Sequence, residues 1–263
     1  MAEAKFELVD NSPIQMPVII NADDQYLVLA AKKRKRDVIT YGVINRADFM
    51  AEPRGIDEGG RPIVLIEGHT IAIPLFGKHQ IYNLLAGYTV CRTLGLVLSE
   101  DDIQNLKYSF EPYRGEIDNF EGITTISDCY NANPVSMESG LRSFAEYCSN
   151  TAMKDRRSVV VIGDMLELGR DSGLFHRRIG ALLAEGDFDL TIAVGPESEE
   201  TYRAATEKGL NKNKIVHFND TNAAAEALLG YIERGDIIYF KASRGMALEK
   251  LVVSLKGTAF RQN

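Results

Sequence analysis

The stretch SVVVIGDMLELGRDSGLFHRRIGALLAEGDFDLTIAV, Ser158–Val194, decides the fold. Ser158–Ile162 and Leu190–Val194 are short, nearly unbroken runs of aliphatic and β-branched residues, the pattern of strands covered on both faces. Between them, Gly173–Glu185 repeats its apolar residues at helical spacing. A strand, a helix and a strand at this distance make a βαβ unit, which sets the two strands parallel.

The alternation continues outward in both directions. Strands are predicted over Thr124–Ser127, Lys214–Phe218 and Asp236–Lys241, and helices over Ser136–Ser149, Glu197–Lys208, Asn222–Glu233 and Met246–Lys256. Everything after Phe110 therefore reads as an α/β domain of Rossmann-like type, a mainly parallel sheet with helices on both faces. Glu111–Asn119, with Pro112 and Gly115, reads as the hinge before it. Upstream, Pro17–Ile20 is a short apolar run ending in the turn-forming Asn21–Asp24, and Tyr26–Lys32 suits a short helix. The basic run Lys32–Arg36 reads as its solvated end. Asp37–Tyr41 is β-branched and aromatic, hence a strand, and Pro62–Glu67 with Thr70–Pro74 bracket Gly68-His69 as a hairpin. Ile81–Leu96 carries a strong 3.6-residue period, and Asp101–Tyr108 suits a second, short helix.

Composition narrows the class. With 263 residues, 45% hydrophobic and 25% charged, the chain holds one large or two modest domains with a normal core. A net charge of −7 argues against a nucleic-acid partner. Cys91, Cys129 and Cys148 are odd in number and lack metal spacing, so they read as reduced thiols of a cytoplasmic protein. No apolar run approaches the roughly 20 residues of a membrane span, and the first residues lack a signal-peptide core.

Parallel α/β sheets take ligands at the carboxyl ends of their strands. Three polar loops fall there. DCYNANP (Asp128–Pro134) follows the first strand, with Ser136 as a helix N-cap. GDMLELG (Gly163–Gly169) follows the second. KASRG (Lys241–Gly245) sets a cation, a hydroxyl and a guanidinium before a helix, a cradle for an anion or carboxylate. Singly, the first is as readily an Asx-rich turn satisfying its own backbone, and the second a polar turn. Three such loops at one sheet edge are harder to dismiss.

Together these loops resemble the Mur ligase family. The matching blocks are AEAKFEL (Ala2–Leu8), NADD (Asn21–Asp24), GKHQIYNLLAG (Gly77–Gly87), DCYNANPVSM (Asp128–Met137), GDMLELG, His176 with Gly180, and KASRGMALE (Lys241–Glu249). They follow the family's order over nearly the whole chain. The YNANP and GDMLELG blocks favour the branch that adds D-alanyl-D-alanine to UDP-N-acetylmuramoyl-tripeptide in peptidoglycan precursor synthesis. The family's phosphate loop, G-x-x-x-x-G-K-[ST], has no counterpart here, nor does its N-terminal substrate domain. The resemblance thus implies that residues 1–109 are the later half of a central ATP-binding domain and 110–263 the C-terminal domain. The partner it implies is the missing N-terminal portion of the same enzyme. The first part is expected to be an incomplete mixed sheet with an exposed edge, and the chain alone to be inactive.

The family's chemistry also suggests roles. ATP phosphorylates a carboxylate, and the amine of the dipeptide then displaces phosphate from the acyl phosphate, with Mg2+ as cofactor. Lys5 matches the lysine that the family carbamylates to hold a second Mg2+, although spacing alone makes it an exposed helical lysine. His79, Gln80 and Asn83 would border the adenine; Gln80 stands where the family has asparagine, keeping the amide. Arg114 would reach the ATP phosphates, and Asp128 would contact the ribose or the nucleotide from the C-terminal side. Asn131, Asn133, Ser243 and Arg244 would bind the incoming dipeptide and its carboxylate. Lys241 either packs or binds, and Asp164 and Glu167 either orient the amine or stabilise their loop. Two other readings stand beside this one: another ligase of the superfamily, of the folylpolyglutamate or cyanophycin type, and a non-catalytic nucleotide- or peptide-binding module.

Overall fold

A computed structural model of the protein describes residues 2–99, 102, 111–149 and 153–257. Of the helix expected over Asp101–Tyr108, all but Asp102 lies outside the described residues. The chain divides into two compact units, one of Met1–Asp57, Arg61–Pro74 and Lys78–Tyr108, the other of Glu58–Gly60, Leu75–Gly77 and Ser109–Asn263.

In the first unit, helix α1 (Ala2–Asp10) packs on α2 (Gln25–Lys33) through the buried ring of Phe6, which joins Val18, Ile20, Ala30 and Ala31 in a small core. Asp24 caps α2 by accepting from the amides of Tyr26 and Leu27, which satisfies two otherwise orphaned donors. Strands β1 (Ile19–Asn21), β2 (Ile39–Gly42) and β3 (Phe49–Met50) form a parallel sheet in that order. Strands β4 (Glu52–Ile56), β5 (Pro62–Ile66) and β6 (His69–Ala72) form a separate antiparallel one. The expected single mixed sheet is therefore two sheets, one of each kind. The hairpin turn falls on Glu67-Gly68, both at positive φ, and His69 opens β6 rather than sitting in the turn. Helix α3 (His79–Thr93) follows them in the chain.

The second unit carries the sheet that Ser158–Val194 predicts. Its strands are β7 (Glu116–Phe120), β8 (Ile123–Ser127), β9 (Ser158–Gly163), β10 (Leu190–Val194), β11 (Ile215–Phe218) and β12 (Ile237–Lys241). They lie in the order β11-β10-β9-β12-β8-β7, all neighbours parallel except β7 on β8. Every residue of β8, β9, β10 and β12 is buried, as continuous apolar runs require when helices cover both faces. The expected hinge is shorter than Glu111–Asn119. Glu116–Phe120 is the antiparallel edge strand, and its polar sequence EIDNF reflects an edge half open to water.

The covering helices are α4 (Pro134–Cys148), α5 (Ser172–Glu185), α6 (Ser198–Glu207), α7 (Thr221–Ala227) and α8 (Glu249–Gly257). Two glycines permit close approach. A Cβ at Gly180 of α5 would run into the Thr201 carbonyl of α6, and one at Gly140 of α4 would overlap the Tyr239 hydroxyl of β12. The N-cap of α4 is Asn133, not Ser136. Asn133 Oδ1 accepts from the Ser136 amide at 2.9 Å and Ser136 Oγ accepts from the Asn133 amide at 3.1 Å, a reciprocal capping box with Pro134 in the first turn.

Candidate functional site

The register places Ser127, Phe240 and Val161 side by side on β8, β12 and β9. The loops that follow these strands, beginning at Asp128, Asp164 and Ala242, therefore emerge at one edge. Buried bonds tie them together. Lys241 is 2% exposed, and its Nζ donates to Asp128 Oδ2 at 2.7 Å and to the Asn131 carbonyl at 3.3 Å. The Tyr239 hydroxyl donates to the same Asp128 oxygen at 3.0 Å. Burial, and then the Asp128 charge beside it, pushes the Tyr239 phenol well above its ordinary range. Lys241 thus packs: its ammonium holds the DCYNANP loop to the end of β12.

Ser243 joins all three loops. Its Oγ accepts from the Leu166 amide at 2.9 Å and donates to the Ala132 carbonyl at 3.3 Å, and its own amide donates to the Asp164 carbonyl. Asp164 is buried and turns away from the mouth. Its carboxylate accepts from the Ser198 amide at 2.7 Å, the Ser198 hydroxyl at 2.6 Å and the Glu197 amide at 3.2 Å, anchoring the start of α6, where a carboxylate also meets the positive end of the helix dipole. His176, in the motif with Gly180, does the same for the GDMLELG loop. Its Nε2 accepts from the Met165 amide at 3.0 Å, which leaves the proton on Nδ1 to donate to the Ser172 carbonyl at 2.9 Å. The loop itself is bent through Glu167 and Gly169, both at φ above +60°.

What remains at the mouth is cationic and amide-rich. Arg114, Asn131, Asn133 and Arg244 are exposed. Arg114 sits over the Tyr130 ring, its guanidinium carbon 4.0 Å from the centroid, and Arg244 approaches the same ring at 5.3 Å. Sequence reasoning placed Arg114 and Arg244 in separate roles and passed over Tyr130, whose only signal is an aromatic residue inside a polar loop. Asn131 and Asn133 share the edge with Ser243 and Arg244, although the Asn133 side-chain oxygen is engaged in the cap.

The other candidates belong to the first unit. Gln80 is buried at the start of α3 and bridges the other two: its Nε2 lies 3.1 Å from His79 Nε2, and its Oε1 accepts from Asn83 Nδ2 at 2.9 Å. Lys5 is exposed on α1. Among the described residues no group of three or more His, Cys, Asp or Glu is placed to hold a metal ion. Lys5 alone does not make a divalent-cation site. No helix is long and apolar enough to cross a membrane among the described residues.

The chain carries a doubly wound α/β domain whose strand-end loops gather arginines and amides at one edge, side chains of the kind that pair with anions. The sequence patterns of two domains match it: "Mur ligase, glutamate ligase domain" over residues 113–244 and "Mur ligase middle domain" over residues 1–91. The chain belongs to the Mur ligase family. Among curated relatives it is 29% identical to the UDP-N-acetylmuramoyl-tripeptide--D-alanyl-D-alanine ligase of Mycobacterium tuberculosis, over 94% of this chain and 52% of that one. It is also 29% identical to the enzyme of the same name from Bacillus subtilis, over 97% and 54%. The chain thus spans about half the length of the curated relatives it matches. Its fold matches that of MurF ligase from Thermotoga maritima, solved in complex with ADP, with a TM-score of 0.77 at 24% identity over 97% of this chain and 56% of that one.

Proposed function

We propose that this chain is part of a cytoplasmic, ATP-dependent ligase that joins D-alanyl-D-alanine to UDP-N-acetylmuramoyl-tripeptide in peptidoglycan precursor synthesis. The observation that carries the reading is that relatives bearing this activity in their names align along 94% and 97% of the chain. On this reading residues 1–109 are the later half of the central ATP-binding domain and 110–263 the C-terminal domain. The other ligase types of the superfamily lose ground because YNANP and GDMLELG are the blocks of this branch.

In the reaction a substrate carboxylate attacks the γ-phosphorus of ATP and ADP leaves. The dipeptide amine, having lost a proton, adds to the carbonyl carbon of the acyl phosphate, and the tetrahedral intermediate expels inorganic phosphate. Negative charge collects on phosphoryl and carbonyl oxygens, so fixed cations do much of the stabilising. Arg114 is assigned to the ATP phosphates and Asp128 to the nucleotide ribose. Asn131, Asn133 and Arg244 are assigned to the dipeptide, with Arg244 on its terminal carboxylate, while Ser243, its hydroxyl engaged by Leu166 and Ala132, is assigned to holding their loops together. His79, Gln80 and Asn83 are assigned to the adenine; the bridge through Gln80 would hold the imidazole and the second amide in register with each other. Mg2+ would be supplied with the nucleotide, and the Lys5 carbamate would give it one bidentate ligand. Among the described residues no cluster of three or more histidines, cysteines or carboxylates is placed to complete its coordination.

Lacking a loop to cradle the β- and γ-phosphates, the 263-residue chain by itself is expected to be inactive. The test is ADP release by the purified chain with ATP, the tripeptide substrate and D-alanyl-D-alanine. No release above background is expected, and release that requires the dipeptide would overturn the assignment of the chain as an incomplete enzyme.

A further inference from the structure

Five arginines of the second unit have carboxylate partners: Arg157 with Glu233, Arg177 with Glu200, Arg178 with Glu138, Arg203 with Glu199 and Arg234 with Glu121. Arg114 and Arg244 are held differently. Among the described residues neither is paired with a carboxylate, and both lie on one aromatic ring, that of Tyr130. The distinction matters chemically. A carboxylate neutralises a guanidinium, whereas a ring attracts it through its quadrupole and leaves the full positive charge for an incoming anion.

The backbone around all three residues is fixed. Arg114 stands between Tyr113 and Gly115, both at positive φ. The Tyr130 amide donates to the Tyr113 carbonyl at 3.1 Å, and the Gly115 amide to the Ser127 carbonyl at 2.9 Å, so the Arg114 turn is stitched to the segment that bears the ring. Arg244 follows the three-loop junction at Ser243. Two like charges on long side chains would otherwise separate; a shared ring with a fixed backbone on both sides holds them near each other.

We propose that Tyr130 is a positioning residue that holds Arg114 and Arg244 as a single cationic pair, so that anions bound by one are held within reach of the other. This rests on the ligase reading only for the names of those anions, the phosphate of one reactant and the carboxylate of the other. The phenol contributes its ring and not its hydroxyl. Tyr130→Phe therefore keeps the pair, and Tyr130→Leu, similar in bulk to part of the ring but without a quadrupole, releases it.

The experiment is a titration of the 263-residue chain with inorganic pyrophosphate, followed by NMR of the arginine side-chain Nε–H groups. In the free wild-type chain the Arg114 and Arg244 signals should both carry ring-current shifts, which need no variant to observe. On titration they should move together with one shared Kd. Tyr130→Phe should hold that Kd within about twofold. Tyr130→Leu should abolish the ring-current shifts and raise the Kd about tenfold, the combined effect of losing two exposed cation–π contacts. Absence of ring-current shifts, separate Kd values for the two arginines, no pyrophosphate binding, or a Tyr130→Leu chain that binds like wild type would each overturn the proposal. Ligation by the completed enzyme without a shared pair sinks the pair alone, and a shared pair in an enzyme that never ligates sinks the ligase reading alone.

Discussion

Replacing Lys241 with methionine tests whether its ammonium is a structural tie. Methionine keeps most of the aliphatic stem and removes the charge together with its hydrogen bonds to Asp128 and the Asn131 carbonyl. The ammonium is 2% exposed and 2.7 Å from an Asp128 oxygen whose own side chain is 10% exposed, so the small value of a surface ion pair does not apply. Removing one partner of a buried pair costs about 3–5 kcal/mol, because the other charge stays behind without compensation. Asp128 keeps the Tyr239 hydroxyl as a donor, which places Lys241→Met near the lower end, about 3 kcal/mol. In Asp128→Asn/Lys241→Met no charge is stranded and the amide oxygen still accepts from Tyr239. The double variant should then be less destabilised than Lys241→Met, at about 1–2 kcal/mol. Native-state hydrogen exchange of the β8 and β12 amides reads this in the unit concerned. A Lys241→Met loss below about 1 kcal/mol, or two single losses that simply add, would show that the pair is not a buried tie.

Further outcomes follow from other contacts. Gly180→Ala should destabilise the second unit by about 1–3 kcal/mol in urea unfolding, since the new methyl meets the Thr201 backbone and α5 and α6 must part. Burial pushes the thiols of Cys129 and Cys148 up to about 12, so both should resist iodoacetamide at pH 8 in the folded chain and react once it is unfolded. Burial alone would raise the Asp23 carboxyl, but the amides of Val43, Asn45 and Ile44 and the Tyr82 hydroxyl outweigh it and hold the group below its ordinary 3.8. A carboxyl depressed by folding contributes stability that is full above the unfolded value and is lost as pH falls through the folded one. The first unit should therefore loosen below about pH 4. Asp23→Asn should flatten that acid limb in a pH series of melts while lowering Tm at pH 7.

The second unit was legible because its strands are buried on both faces. SVVVI, LTIAV and DIIYFK need no partner to be recognised, and their bounds shift by a residue or so. The edge strand β7 was not, since EIDNF has the polarity of a loop and becomes a strand only by pairing with β8. The capping of α4 turned on two polar residues three apart; Pro134, favoured in a first helical turn, was the signal that selects Asn133. In the first unit, β3 and β4 are short or interrupted by Pro53 and Gly55, which hides them from periodicity. At the mouth, the sequence marks which loops are polar but not which side chains face inward. Lys241, Ser243, Asp164 and His176 carry the polarity of ligand-binding groups and are engaged by atoms of other loops and helices. Asp128 and Lys241 meet although they lie 113 positions apart in the sequence, and Ser243 and Ala132 although they lie 111 apart. Tyr130 shows its bearing only when Arg114 and Arg244 are seen on one ring.

The central claim meets its most direct test in a chimera in which this chain replaces the corresponding half of the Bacillus subtilis relative. The measurement is mass-spectrometric detection of the joined product after incubation with ATP, UDP-N-acetylmuramoyl-tripeptide and D-alanyl-D-alanine. The account predicts product only when all three are present, and an Arg244→Ala chimera whose KM for the dipeptide rises about tenfold or more, the loss of a charge-assisted contact of about 1.5–3 kcal/mol. A folded chimera that forms no product, or one whose dipeptide KM is indifferent to Arg244, would contradict it.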